Sequence, residues 1–417
     1  MGMTFAEKIL AQKAGLPATV PGQIVDIQPD VALSHDNSAA IIDLFKEMGA
    51  TRVFDPKMHA IILDHATPAP TTKHAQNHKQ IREFVKEQGI PYFHDIGRGI
   101  CHQVLVEEGL ALPGEVVLGA DSHTPHAGVM GAFATGIGRT EMASIWAIGR
   151  LWLRVPESMK IVVTGQLPKW VTSKDLVLTI IGKLGVDGGL YRSVEWHGDT
   201  IQAMSVSQRS TLTNLMGEMG VKNSYIPPDQ VTFDYLKART KRAFTPMYPD
   251  ADAVYEMTVE IDASQLEPVV AAPHAVDNVH PVSEVQGTPI DQAYLGTCTN
   301  CRLDDLAVAA DLLKCRKIAS RVRMIVIPAS SEVYLAALKL GYLETLAEAG
   351  AVIESPGCGA CMGNHMGVPA VGEVCISSAN RNFKGRMGTK ESDVYLASPA
   401  VVAASALAGT IAHPDSI

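Results

Sequence analysis

Four of the seven cysteines stand in two Cys-x-x-Cys pairs, Cys298 with Cys301 in "GTCTNC" and Cys358 with Cys361 in "SPGCGACMGNHMG". Thiols at this spacing can hold a metal, exchange disulfides or lie inert in a core. Zinc ribbons usually keep their two pairs about 15–20 residues apart, whereas 56 residues separate Cys301 from Cys358. Neither pair opens a helix cleanly, as a redox dithiol would. Three thiols from two loops, Cys298 with Cys358 and Cys361, fit an iron–sulfur site better. Gly357, Gly359 and Gly363 would bring backbone amides close to the sulfurs. Structural zinc and unligated core thiols remain the alternatives on spacing alone.

A second group of residues suits proton transfer and anion binding. Asp64 and His65 are adjacent, Asp121, Ser122 and His123 open "DSHTPH", and "SANRNFKGRMG" carries Asn380, Arg381 and Arg386. One Asp–His pair is as readily a turn cap as a catalytic device. Repeated acid–histidine sets are harder to dismiss, because a carboxylate beside an imidazole fixes its tautomer and lets it move protons. Arginine forks match carboxylates bidentately, so two of them in a glycine-bearing loop predict a polycarboxylate ligand, against the plainer reading of a surface salt bridge.

The elements that carry these residues read as short strands: "AIILDH", "PYFHD", "EVVLGADSH", "QAYLGTC", "RMIVIPAS", "AVIESPGC" and "EVCISS". Many are followed by helical patterns, which predicts parallel sheets covered on both faces. Residues 331–349 read as one such helix, capped by Ser330 or Ser331, with Leu335, Leu338, Leu346 and Ala349 spaced for burial and Gly350 at the end. Asp64 and His65, Asp121 to His123, Cys298, Cys358, and Asn380 with Arg381 each follow a strand. Ligands of parallel α/β sheets bind beyond the carboxyl ends of strands, so five polar clusters there predict a site.

The chain of 417 residues, 47% hydrophobic and 19% charged, exceeds one ordinary core. Residues 1–155 read as a first α/β domain, 156–287 as a second ending in a linker from 266, and 288–417 as a cluster-binding α/β domain. A formal charge of −9 argues against a nucleic-acid partner, and the one basic run, "KARTKRAF", reads as a solvated face. No run approaches the ~20 apolar residues of a membrane span. The start of the chain reads as a short amphipathic helix, so the expected compartment is the cytoplasm, where cysteines stay reduced.

Taken in order, "DH", "GICHQ", "GADSHT", "GTCTN", "SPGCGACMGNHMG" and "NRNFKGRMG" resemble the aconitase superfamily along essentially the whole chain. Within it they resemble the large subunits of the isopropylmalate-dehydratase and homoaconitase branch. The resemblance implies an α/β fold, an aconitase-like three-domain α/β/α architecture around an iron–sulfur cluster, lacking the swivel domain. It implies one [4Fe–4S] cluster with Cys298, Cys358 and Cys361 as ligands and one open iron that takes the substrate hydroxyl.

Position by position, it places His35 toward substrate and pairs Asp64 with His65, Asp121 with His102, and Glu195 with His123. Ser122 shares their turn, and Asn380, Arg381 and Arg386 lie beside the substrate carboxylates. Cys301 stands where relatives usually carry Gly or Ser, a spare thiol near the cluster. The implied reaction is a hydro-lyase isomerisation of 2-isopropylmalate to 3-isopropylmalate, as in leucine biosynthesis. Homocitrate or homoisocitrate, citramalate and 2,3-dimethylmalate are alternative substrates. The resemblance further implies a separate small swivel-domain subunit, in a heterodimer or heterotetramer, that brings a catalytic serine. An iron-sensing RNA binder fits the acidic balance poorly, and a zinc-stabilised structural protein is the remaining reading.

Overall fold

The computed structural model describes residues 2–417. Strand β1 (Ile24–Ile27) pairs antiparallel with β7 (Leu151–Arg154) as a two-stranded ribbon. Between them run β2 (Val31–Ser34), β3 (His59–Ile62), β4 (Tyr92–His94), β5 (Val116–Gly119) and β6 (Phe133–Gly136). These five form a wholly parallel sheet in the order β4-β3-β2-β5-β6. A second parallel sheet follows, from β8 (Ser158–Thr164), β9 (Ser193–His197), β10 (Asn223–Tyr225) and β11 (Met257–Asp262), in the order β10-β9-β8-β11.

The third sheet holds β12 (Val269–Ala271), β13 (Val279–Pro281), β14 (Gln292–Leu295), β15 (Arg323–Val326), β16 (Val352–Ile353), β17 (Val374–Ser377) and β18 (Asp393–Ala397). Its order is β13-β12-β18-β17-β14-β15-β16. The five strands from β14 to β18 run parallel, and β12 and β13 close one edge antiparallel. β2, β3, β5 and β14 are buried at every position. Apolar runs such as "AIIL" and "VVLG" are therefore continuous because both faces are covered by helices.

In the first sheet the chain runs outward from β2 to β3 and β4, then returns to place β5 on β2's other side. The third sheet repeats the move, from β14 to β15 and β16, then back to β17. Each return leaves a crevice at the carboxyl ends, between β2 and β5 and between β14 and β17, where two loops diverge.

All seven runs read as strands contain strands. Two other expectations change. The stretch 266–287, read as a linker, contains β12 and β13, because β12 pairs with β18 and so belongs to the third sheet. The single helix over 331–349 is two, Ser331–Lys339 and Tyr342–Ala349, broken at Gly341 with φ 77°. Leu335 and Leu338, on the first piece, are 53% and 52% exposed, while Leu346 and Ala349, on the second, are buried. Ser330 does cap the first piece, its hydroxyl accepting from Val333 N. In the basic run, Arg239 pairs with Glu332 and Arg242 with Glu115, while Lys237 and Lys241 are exposed. Among the described residues no helix is long and apolar enough to cross a membrane.

Candidate active site

His35 follows β2, Asp64 and His65 follow β3, and Asp121, Ser122 and His123 follow β5. Asp36, which sequence reasoning did not single out, folds the β3 end into place. Its two oxygens accept from the amides of Asp64, His65 and Ala66 at 2.8–3.1 Å and meet His78 Nε2 at 2.7 Å. Asp64 is thereby aimed inward, with Oδ1 2.6 Å from His65 Nδ1 and Oδ2 accepting from Cys101 N at 2.7 Å. Asp121 Oδ1 lies 2.7 Å from His102 Nε2 and accepts from His123 N at 2.8 Å, while Oδ2 stands 3.7 Å from His65 Nε2. His35 stacks on His65 with ring centroids 3.8 Å apart.

The third sheet supplies the opposite wall. Thr297 at φ 82° turns the chain after β14 and presents Cys298. The loop after β16 brings Cys358 to the first sheet, its amide donating to Asp64 O at 2.9 Å while Tyr294 Oη donates to its carbonyl at 2.9 Å. The bareness of this loop is steric. Gly363 has φ 69° and a Cβ there would strike the backbone of Gly388, so the cysteine loop and the Arg386 loop touch main chain to main chain. At the end of β17, Asn380 is fully buried, with Nδ2 3.4 Å from Cys298 Sγ and 2.6 Å from Asn214 Oδ1.

One cavity of 390 Å³ collects these side chains. It is lined by His35, His65, His102, Asp121, Ser122 and His123 from the first sheet, and by Cys298, Cys358, Cys361, Asn380, Arg381 and Arg386 from the third. Asp64 stands directly behind His65.

Glu195 is the exception among the expected residues. It lies on β9, fully buried, with Oε1 accepting from Phe5 N at 2.8 Å and Oε2 from Tyr255 Oη at 2.9 Å. It anchors the first turn of the helix Phe5–Ala14 to the second sheet and does not line the cavity. The acid on His123 is Glu218, 2.6 Å from Nε2, which also accepts from Arg381 Nε at 2.7 and 2.8 Å. Glu218 comes from the short turn Met216–Met219 of the second unit. No motif or apolar period around it marked Glu218 in the sequence. Cys301 is likewise away from the cavity, fully buried in the third sheet's core with Leu306 and Val326.

The charges are set by burial and by these partners. Burial works against a charged His65, but Asp64 and the Cys358 sulfur outweigh it and hold the imidazole well above its ordinary value. Burial and the neighbouring His65 push His35 down to about 4. Asp121 is held well below the usual carboxylate range despite burial, because His102 and His123 face it. Burial opposes the charged form of His123 too, yet Asp121 and Glu218 raise it. The site thus sorts neighbouring histidines into neutral and charged forms, the arrangement that proton transfer requires.

The donor set also fits an iron–sulfur group. Burial pushes the Cys298 thiol up to about 12, so without a cation its thiolate is unfavourable there. Arg386 Nη2 lies 3.5 Å from Cys361 Sγ and, against burial, lowers that thiol. Arg386 Nε is buried with no hydrogen-bond partner among the described residues. Soft sulfur ligands met by N–H donors, with a spare donor at hand, match a sulfide-bearing anionic centre.

Two cations lie behind the loops that carry Cys298 and Asn380. Arg302 donates to Cys298 O and Thr299 O, both at 2.6 Å, and to Gln103 Oε1 at 2.7 Å. Lys174, fully buried on the helix Ser173–Leu184, donates to Ser378 O at 2.9 Å and Ala379 O at 2.6 Å. Neither was visible in the sequence as part of the site.

Comparison with known proteins accords with this geometry. The model of the "Aconitase family (aconitate hydratase)" matches residues 7–289 and 283–409. The "3-isopropylmalate dehydratase large subunit 1" of Methanopyrus kandleri is 51% identical over 99% of both chains. The "3-isopropylmalate dehydratase large subunit" of Aquifex aeolicus is 49% identical over 100% of this chain and 98% of its own length. The "Probable methanogen homoaconitase large subunit" of Methanosarcina mazei is 52% identical over 93% of this chain and 99% of its own. Among solved structures, Thermococcus kodakaraensis aconitase X in its holo-form shares the fold, with a TM-score of 0.51 at 14% identity, covering 86% of this chain and 84% of that one. On the family match and the full-length relatives together, the chain belongs to the aconitase family.

Proposed function

We propose that this chain is the large, cluster-bearing subunit of a hydro-lyase that isomerises 2-isopropylmalate to 3-isopropylmalate. The observation that carries the proposal is the single cavity in which three thiols, three arginines and linked acid–histidine pairs converge. Full-length relatives near 50% identity that bear the dehydratase name support the substrate.

Cys298, Cys358 and Cys361 would hold a [4Fe–4S] cluster, which when bound supplies Lewis-acid polarisation of a substrate hydroxyl through its unligated iron. The protein's residues do the rest. Arg381 and Arg386 bind a substrate carboxylate, with Arg381 oriented by Glu218 and Ser122. His65, kept protonated by Asp64, holds a proton at Nε2 for the departing hydroxyl. His102 keeps Asp121 ionised, and Asp121 in turn fixes the His123 backbone. His35, neutral, packs over His65 and orders it. A partner small subunit would complete the site and shield it from water, and the reducing interior of the cell is the compartment that suits reduced thiols.

The test is anaerobic co-purification with a small subunit of the same branch, iron and sulfide analysis, and an assay for alkene absorbance with 2- and 3-isopropylmalate. Stoichiometric zinc without sulfide, or no turnover of either acid by a cluster-loaded complex, would overturn the proposal.

A homoaconitase is the second reading. Relatives of that name reach 50–52% identity, and Arg139 lines the cavity with no ion-pair partner among the described residues, where it would suit a third carboxylate. Homocitrate, citramalate and 2,3-dimethylmalate belong in the same assay, and preference for homocitrate abolished by Arg139→Ala would favour this reading.

A further inference from the structure

Lys174 is the one fully buried ammonium in the site's surroundings, and the mechanism above does not use it. Its Nζ forms no ion pair among the described residues; two of its three N–H groups go to Ser378 O and Ala379 O. The adjacent Asp175 is turned away, its carboxylate taken by Thr172 N, Thr172 Oγ1 and Val269 N. A buried, unpaired ammonium costs several kcal/mol, and two neutral carbonyls do not offset that cost. Such a charge persists where an anion stands nearby. Beyond the two carbonyls lies Asn380, whose amide reaches Cys298 Sγ, and the sulfurs of Cys298 and Cys361 are the leading influences that favour the charged lysine. Burial lowers it to about 8, so it remains largely protonated at neutral pH.

We propose that Lys174 is a positioning residue that serves as the fixed counter-charge of the cluster site, placed behind the turn 378–381 on the side away from substrate. It acts through that turn and through its field, touching neither ligand nor substrate. Three thiolates around a cluster, joined by a dicarboxylate, make a net anion. Arg381 and Arg386 offset it from the cavity side, already engaged with Glu218 and Cys361. Lys174 offsets it from the protein side, where water cannot. A fixed positive charge near an iron–sulfur centre favours its reduced, more negative state.

This inference rests on the reading that the chain holds a cluster, and the experiment separates the two. Wild type and Lys174→Met, which keeps the length and removes the charge, are loaded anaerobically with iron and sulfide in the presence of the small subunit. The cluster midpoint potential is then measured, with Lys174→Arg as the charge-retaining control. Lys174→Met should bind iron and sulfide, yet its reduced fraction at a set potential should fall on the order of tenfold, a negative shift of about 59 mV for one electron. Lys174→Arg should stay near wild type. The apo form of Lys174→Met should fold, since an uncompensated charge has been removed from it. An unchanged potential, or a Lys174→Met chain that cannot fold even without cluster, would reduce Lys174 to a structural post and overturn the proposal. Absence of iron and sulfide from wild type would overturn both readings together.

Discussion

Glu218 accepts from His123 and Arg381 at once, so one carboxylate fixes both the imidazole proposed to handle protons and the guanidinium proposed to bind carboxylate. Glu218→Gln removes the charge that raises His123 and frees Arg381 to swing, and turnover should fall on the order of 10²-fold with the cluster retained. Glu195→Gln should leave turnover unchanged and instead lower unfolding free energy by about 1–3 kcal/mol, since its bonds to Phe5 and Tyr255 are structural. Kinetics and urea melts of the two variants check this pair; a Glu195 variant with normal stability and lost turnover would return that residue to the chemistry. The thiols divide in the same way. Serine at Cys298, Cys358 or Cys361 should each abolish iron and sulfide retention, whereas Cys301→Ser should retain them and cost about 1–2 kcal/mol for burying a hydroxyl among Leu306 and Val326. Asp64, His65, Asp121 and His123 were legible because each directly follows an apolar strand run. Glu218 was not, because its partners lie 95 and 163 residues away and its turn carries no periodic signal.

The strands were legible as elements because a fully covered parallel strand must be apolar at every position. The broken helix was not, since the apolar spacing of 331–349 continues through Gly341, where a left-handed turn separates the piece with exposed Leu335 and Leu338 from the piece with buried Leu346 and Ala349. β12 and β13 were missed because three-residue edge strands owe their existence to a partner, β18, more than 100 residues away. The first strand after the α-helical Ser38–Glu47 segment holds a further liability. His59 opens β3 fully buried, with neither ring nitrogen hydrogen-bonded among the described residues, edge-on to Trp146 at 5.7 Å. Burial depresses it from 6.5 to about 4. The unfolded chain therefore binds the extra proton first: the stability is intact above pH 6.5 and is lost as pH falls from there toward 4, by roughly 3 kcal/mol in total. His59→Leu should flatten that acid limb and, at pH 7, gain about 1–3 kcal/mol by removing an unsatisfied donor. Urea melts at pH 7 and pH 5 decide it, and an equal acid loss in both proteins would clear His59.

At the scale of the molecule, the site lies where two topological crevices meet, β2/β5 from the first sheet and β14/β17 from the third, with the second unit reaching in through Asn214 and Glu218. The pairing of polar clusters with strand ends was readable in the sequence; which crevices faced each other was not, because that depends on packing between sheets. The cavity's one lining carboxylate among the described residues, Asp121, is committed to His102 and His123, its one lining serine, Ser122, accepts from Arg381, and its neutral imidazole, His35, is stacked flat on His65. None is left free to take a proton from substrate carbon. The chain reconstituted alone should therefore hold a cluster yet turn over at least ~10²-fold more slowly than with its small subunit. Equal rates by alkene absorbance would require a base among these residues. The main-chain contact between Gly363 and Gly388 has a consequence for how the enzyme is made. The histidine wall belongs to residues 35–123, translated and able to fold early, whereas Cys358, Cys361 and the loop that braces them are translated more than 200 residues later. A ribosome stalled before Cys358 should expose a chain that carries no iron however much is supplied. Metal delivery is then a step of maturation, performed on a vessel already shaped to receive it.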